Sequence, residues 1–490
     1  MTGHWQVLIV VIPLLAAPLA SLLRGSTAPW ALATAVSWTV LALALILLQQ
    51  VQAHGTLSYA LGGWAAPWGI EYRLDAANAL IQLLVALVAA VVLPYARWSA
   101  GREIEAERMP GFNAAILLLL AGLLGITATG DAFNVFVFLE ISSLSTYTLI
   151  ALGRDRRALT SAFRYLIMGT VGATFYLIGV GLLYAMTGTL NMADLGQRLA
   201  EVEATRTVHT AVAFIVVGVS LKLALFPLHL WLPNAYTYAP SAVTALLAAT
   251  ATKVAVYVLV RFLWTIFGIE FSFGELPLSG VLAALAVTGM LVASVVAIGQ
   301  SDVKRLLAYS SVAQIGYAVA GLSLASTLGL TAALLHLFNH ALMKGALFMA
   351  LGCVAWRMGG TRIEHFRGLG RSMPWTMAAF VAGGLSLIGV PLTVGFISKW
   401  YLVLAALEQG WWWLVLAIVA SSLMAVAYIW RVVEVAYFQA SDSRERHQEA
   451  PLGMLLPTWL LVLANLWFGI DTRLTVGIAE LAATTLGAAP

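Results

Sequence analysis

Of the 490 residues, 61% are apolar and only 10% are charged, against about 25% charge in a soluble domain, and the mean hydropathy is +0.92. A chain of this kind has no stretch left for a water-soluble domain, and its net charge of +4 reflects membrane topology and anionic lipid headgroups, not nucleic acid. The single cysteine, Cys353, excludes an intrachain disulfide and a cysteine-based cluster. There is no P-loop, no GxGxxG turn and no CxxC, so neither a cofactor nor a metal site is expected.

A bilayer crossing takes roughly 20 apolar residues, and the sequence predicts an all-α polytopic protein with about fourteen such helices. In chain order they lie near 5–23, 28–50, 75–97, 112–129, 131–152, 160–186, 208–226, 240–267, 276–299, 303–325, 327–355, 375–407, 410–437 and 451–470. The first lacks a basic leading region and a small-residue cleavage site, so it reads as a retained helix. The Gly- and Trp-containing piece between 55 and 74 is too short and polar to cross, and reads as an extramembrane hairpin or loop. Four regions follow: helices 1–3 in 1–110, a first repeat (helices 4–8) in 111–270, a second (helices 9–13) in 271–437, and helix 14 with a tail in 438–490.

Cytoplasmic loops hold the excess of Lys and Arg. Loops after odd-numbered spans carry most of it, in groups such as Arg97, Arg102 and Arg108, Arg154, Arg156 and Arg157, Arg362, Arg367 and Arg371, and Arg431, Arg444 and Arg446. Loops after even spans and the two ends hold Arg73, Arg198, Arg206, Arg261 and Arg473. Both termini are therefore expected on the non-cytoplasmic side of a bacterial or archaeal cytoplasmic membrane. Lys304 falls in a loop by this reading, whereas Lys222, Lys253, Lys344 and Lys399 fall within spans.

Lysine, unlike arginine, exchanges its proton readily when desolvated. Among the acids, Glu140 in "GDAFNVFVFLEISSLSTYTLI" is the one deep in a span, with Asp131 near that span's start. An ionisable group at bilayer depth usually faces the protein interior and has a partner, and a lysine is the obvious partner for Glu140.

In "LKLALFPLHLWLPNAYTYAP" (221–240), Pro227, Pro233 and Pro240 follow Lys222 closely. Proline removes a backbone donor and clashes with the preceding turn, and lipid cannot satisfy the groups so freed. A break lined by a polar cavity is expected. A second break is expected in "GGLSLIGVPLTVGFISKWYL", where Gly389, Pro391 and Gly395 precede Lys399. Two interrupted helices, in the seventh and twelfth spans, suggest two inverted five-helix repeats, each with its fourth helix broken beside a lysine. Between them "HLFNHALMKGALF" sets His336, His340 and Lys344 at i, i+4 steps on one helical face. Without a third ligand this stripe suits proton exchange better than zinc. His229 and Lys253 are candidates for the matching parts in the first half.

These stretches, together with "SDVKRLLAYSSVAQIGY" and "GVPLTVGFISKW", resemble the antiporter-like proton-translocating subunits of respiratory complex I and of the Mrp multisubunit cation/proton antiporters, over roughly residues 110–435. The resemblance implies a fourteen-helix fold and a proton path along the middle of the membrane. Glu140 would pair with Lys222, and Lys253, His336, His340, Lys344 and Lys399 would continue the path. Lys304, His229 and Asp131 are secondary candidates. The stretch beginning at Gly130 looks most like the D-type member of the Mrp antiporters. The chain ends soon after the fourteenth span, unlike the longest members of the family. The expected function is proton translocation in a multisubunit Na⁺/H⁺ antiporter, with sister membrane subunits as partners. The alternatives are a proton-pumping subunit of an NADH:quinone oxidoreductase or hydrogenase-type complex, or of an inorganic-carbon uptake system.

Overall fold

The computed structural model describes residues 4–202, 205–440 and 448–487; Arg444 and Arg446, counted above with the cytoplasmic loops, lie outside the described residues. Among the described residues thirteen helices are long and apolar enough to cross a bilayer, and the pair Pro374–Ile388 and Val394–Glu408 completes the twelfth crossing. The fold is thus all-α with the expected spans, whose ends fall within a few residues of those read from hydropathy. The segment between the second and third spans is a hairpin: β1 (Leu57–Ala60) pairs antiparallel with β2 (Glu71–Leu74), Leu57 opposite Leu74.

Two further helices were not foreseen. Met192–Glu201 follows the sixth span, and Arg473–Gly487 stands where a tail was expected. The second buries Val476, Ile478, Ala479, Ala482 and Leu486 against the third and eleventh spans. Short helices lying along a surface mix apolar and polar residues, so their average hydropathy hides them.

The two repeats are visible in their caps. Asp131 caps the fifth span (Ala132–Ala151) and forms an isolated β-bridge with Asn191; Asp302 caps the tenth (Val303–Ser323) and forms one with Arg362, the same distance further along the chain. Five crossings separate the two caps, so they lie on opposite faces, as inverted repeats require.

Burial sorts the spans into layers. The third, eighth, tenth and eleventh are at least 94% buried, whereas the first, sixth and thirteenth are 39% buried. A lipid-facing helix cannot carry unpaired polar groups without cost, so the inner layer is where buried charge belongs. The sixth and seventh spans meet at glycines: a Cβ on Gly218 would come 2.6 Å from the carbonyl oxygen of Gly172, so only a bare backbone permits that crossing.

Two placements are corrected. Lys304 does not lie in a loop; it occupies the first turn of the tenth span, is buried, and donates to the Ala239 carbonyl at 2.5 Å. All five lysines of the chain are therefore buried. Arg261, counted with the exterior loops, is also buried and pairs with Asp75 at 2.5 Å. Hydropathy places a charge near a span's end on the water side by default, and cannot see a partner on another helix.

Candidate proton path

The seventh span runs as a helix from Arg206 to Leu223 and stops at Ala224, which holds the left-handed conformation at φ 59°. A short helix, Trp231–Tyr238, resumes after it. Pro227 lies within this break. Pro233 does not: it sits in the first turn of the resumed helix, where a missing N–H is tolerated, and Pro240 is the N-cap of the eighth span. The loosened helix end is satisfied locally, since Leu225 donates its N–H to Ser220 at 3.0 Å and the Trp231 indole donates to the Leu221 carbonyl at 2.9 Å.

Lys222 is in the last turn before that break. Its ammonium stands 3.5 Å from the Glu140 carboxylate and donates to the Ser143 hydroxyl at 2.8 Å. The Lys222 side chain is 5% exposed and that of Glu140 26% exposed, so the pair sits at the rim of the protein interior with its acid outermost. At an effective dielectric of about 20, two charges this close interact by on the order of 4 kcal/mol, enough to decide whether the lysine holds its proton.

A cavity of about 20 Å³ is lined by Lys222 and by Ala251, Val254 and Ala255 of the eighth span, which is room for about one water. The eighth span is itself interrupted, a break not foreseen: Thr250 leaves the helical region at φ −123°, ψ −60°, between Ser241–Ala249 and Ala251–Val260. The Lys253 ammonium donates to the Ala248 carbonyl that this break frees. Lys253 is 1% exposed and lies within electrostatic reach of His336, His340 and Lys344.

The eleventh span, Thr327–Met358, is buried at every residue from Gly329 to Val354. The rings of His336 and His340 stack with centroids 5.7 Å apart. Lys344, a turn further, donates to Leu307 O at 2.8 Å and to the Ser310 hydroxyl. His336 Nδ1 meets the Ser398 hydroxyl at 2.9 Å, which hands the stripe on to the twelfth span.

There the first half-helix ends at Ile388, with Gly389 at φ 95° and Leu392 at φ 69°, and Pro391 lies between them. Lys399 reaches back across the break. It donates to Leu387 O at 3.0 Å, Ile388 O at 2.8 Å and Ser422 Oγ at 2.9 Å, and lies over the Tyr317 ring, 4.8 Å from its centroid. Gly395 is required by packing, because a Cβ there would fall 1.7 Å from Ser386 O.

The structure thus gathers Glu140 with Lys222, and Lys253, His336, His340, Lys344 and Lys399 along the interior. It does not bring two secondary candidates to them. His229 stacks on Phe226 at 5.1 Å and meets Tyr309, not Lys253, and Asp131 accepts from the Asn134 N–H as a helix cap. Lys304 sits at the Ala239 end of the first broken helix. The neutral partners Ser143, Ser310, Ser398, Ser422 and Tyr317 went unnoticed in the sequence. A serine beside Lys399 was their only signal. Among the described residues no group of three or more His, Cys, Asp or Glu is placed to hold a metal ion.

Residues 129–425 match the model of the family described as NADH:quinone oxidoreductase/Mrp antiporter, TM. The chain belongs to this family. It is 45% identical, over 96% of both chains, to NADH-quinone oxidoreductase subunit N of Desulforudis audaxviator. To the D-type component of the Na(+)/H(+) antiporter of Bacillus subtilis it is 30% identical over 99% of this chain and 97% of that one. Among solved structures, a chain of the membrane-bound sulfane sulfur reductase, an archaeal respiratory membrane complex, superposes with a TM-score of 0.92 at 30% identity, covering 99% of this chain and 98% of that chain. A chain of the Mrp complex from Dietzia sp. DQ12-45-1b gives 0.89 at 26% identity, covering 100% and 98%. The family member described here is a multi-pass membrane protein.

Proposed function

We propose that this chain is the proton-translocating membrane subunit of a multisubunit monovalent cation (Na⁺)/proton antiporter, itself a transporter subunit and not an enzyme. The observation that carries this reading is a succession of buried ionisable groups, Glu140–Lys222, Lys253, His336–His340–Lys344 and Lys399, joined by hydroxyls and helix breaks across both repeats. A proton on Lys222 is held or released according to Glu140. It passes through the cavity beside Lys222 to Lys253, along the eleventh span, and through Ser398 to Lys399. Sister membrane subunits supply the driving reaction, and the termini lie on the non-cytoplasmic side.

A second reading has a specific observation behind it: the 45% identical relative is named as a subunit of NADH-quinone oxidoreductase. In that case electron transfer in a partner drives the same proton path.

Inverted membrane vesicles from cells expressing the whole set of subunits, loaded with a pH-gradient dye, test both. Collapse of a respiratory gradient on adding Na⁺, lost in Glu140→Ala at normal assembly, is the expected result. A gradient indifferent to Na⁺, K⁺ and Li⁺ but dependent on an electron donor to a partner would replace antiport with the redox-driven reading. Full transport in Glu140→Ala and Lys222→Ala would sink the path itself.

A further inference from the structure

The eighth span carries Lys253, Tyr257 and Arg261 at successive four-residue steps, so all three lie on one helical face. Only Lys253 belongs to the path above. Arg261 is held by Asp75 and donates its Nε to the Tyr257 hydroxyl at 3.0 Å, while Asn78 Nδ2 donates to the same oxygen at 2.7 Å. The phenol oxygen accepts twice, which leaves its own O–H free to donate.

Beside this cluster is a cavity of about 120 Å³, room for several waters. Asn78, Tyr257 and Arg261 line its inner end, and Arg73 and Gln197, both exposed, lie at its mouth. The mouth is on the face of β2 and the Met192–Glu201 helix, opposite the arginine-rich loops. None of the lining residues is acidic.

A second observation lies deeper. Gln82 is one turn further along the third span (Ala76–Glu103) than Asn78, on the same face. It is fully buried, and neither end of its amide has a hydrogen-bond partner among the described residues. An orphaned amide group at that depth bears the desolvation cost of both its ends, and a water is the small partner that can bridge them. The third and eighth spans run antiparallel. One turn inward on each, about 6 Å, leads from the Asn78–Tyr257 contact to Gln82 on one side and Lys253 on the other.

We propose that this cavity, Tyr257 and Gln82 form an access route joining Lys253 to water on the face opposite the arginine-rich loops, and that it conducts protons and not the metal cation. The inference rests on the proton-path reading above. In each relay step the Asn78 amide, which also donates to the Thr127 carbonyl, lets go of the phenol oxygen and frees one lone pair; a cavity water gives its proton to that lone pair as the phenol gives up its own toward Lys253, and Tyr257 is restored when its hydroxyl turns back. A metal cation finds no free oxygen cluster here, because the Asp75 carboxylate is engaged by Arg261.

The test uses the complete complex in membrane vesicles. Tyr257→Phe keeps the ring and removes the relay proton; Gln82→Leu fills the same volume without polar atoms. Each is expected to lower proton flux at least tenfold at normal assembly. In a Cys353→Ala background, Thr265→Cys, which lines the cavity, should be labelled by a membrane-impermeant thiol reagent in right-side-out but not inverted vesicles, with loss of flux on labelling. Wild-type flux in both Tyr257→Phe and Gln82→Leu, with Glu140→Ala still inactive, overturns the route and leaves the main path standing. Wild-type flux in Glu140→Ala as well removes the reading beneath it. Loss of ²²Na⁺ movement with proton flux intact overturns the assignment to protons.

Discussion

The two broken helices solve the same problem with different chemistry. At the seventh span the lysine stands before the break and answers to a carboxylate, Glu140 at 3.5 Å. At the twelfth it stands after the break and, among the described residues, answers to neutral groups: the oxygens of Leu387, Ile388 and Ser422 and the ring of Tyr317. The left-handed turn is made by alanine in the first, Ala224, and by glycine in the second, Gly389. The first site is therefore an ion pair whose charge state depends on its acid. The second is a lysine that also ties down the end of a helix, and its charge must be compensated from elsewhere or lost.

That contrast can be broken most directly by removing the lysines. Lys222→Met and Lys399→Met are each expected to reduce proton flux in vesicles by about 100-fold or more, the equivalent of about 3 kcal/mol. Substantial flux in either would mean that only one half carries the path. Converting one site into the other sharpens the comparison. Ser422→Asp gives Lys399 a carboxylate and should hold its ammonium charged by on the order of 4 kcal/mol, slowing flux about tenfold or more with assembly intact; faster flux would refute the claim that the second lysine must be free to lose its charge. Smaller, and read in thermal unfolding of the purified complex, is Gly395→Ala. Its Cβ would collide with Ser386 O, a backbone atom that cannot swing away, so a loss of about 1–3 kcal/mol is expected. Smallest is Ala224→Gly. It relieves a left-handed strain of about 1–2 kcal/mol but gives part back in unfolded-chain entropy, so the unfolding temperature should rise slightly, whereas Gly389→Ala should lower it.

Much of this was legible beforehand because the bilayer imposes a simple rule. Span limits, the hairpin between the second and third spans, and the two breaks follow from hydropathy and from proline or glycine placement. The buried lysines and Glu140 were visible as charges where apolar residues are the norm. The break at Thr250 was not, because threonine in an apolar run gives no warning; the freed Ala248 carbonyl and its Lys253 partner appear only when the helix is built. Pro233 misled in the opposite sense, since proline in a first turn begins a helix as readily as proline inside one ends it. Lys304 and Arg261 were assigned to water because their partners, Ala239 and Asp75, come from other spans.

The sequence alone determined that this chain lives in a membrane, how many times it crosses, and that Glu140, Lys222, Lys253, Lys344 and Lys399 fall within spans, since apolar length and the cost of burying a charge act residue by residue. The tertiary structure decided which charge meets which: Lys222 with Glu140 and Ser143, Lys399 with Ser422 and the end of its own broken helix, Arg261 with Asp75 and Tyr257. Those pairings depend on which helices lie side by side, and a contact between residues far apart in the chain leaves no local trace in the sequence.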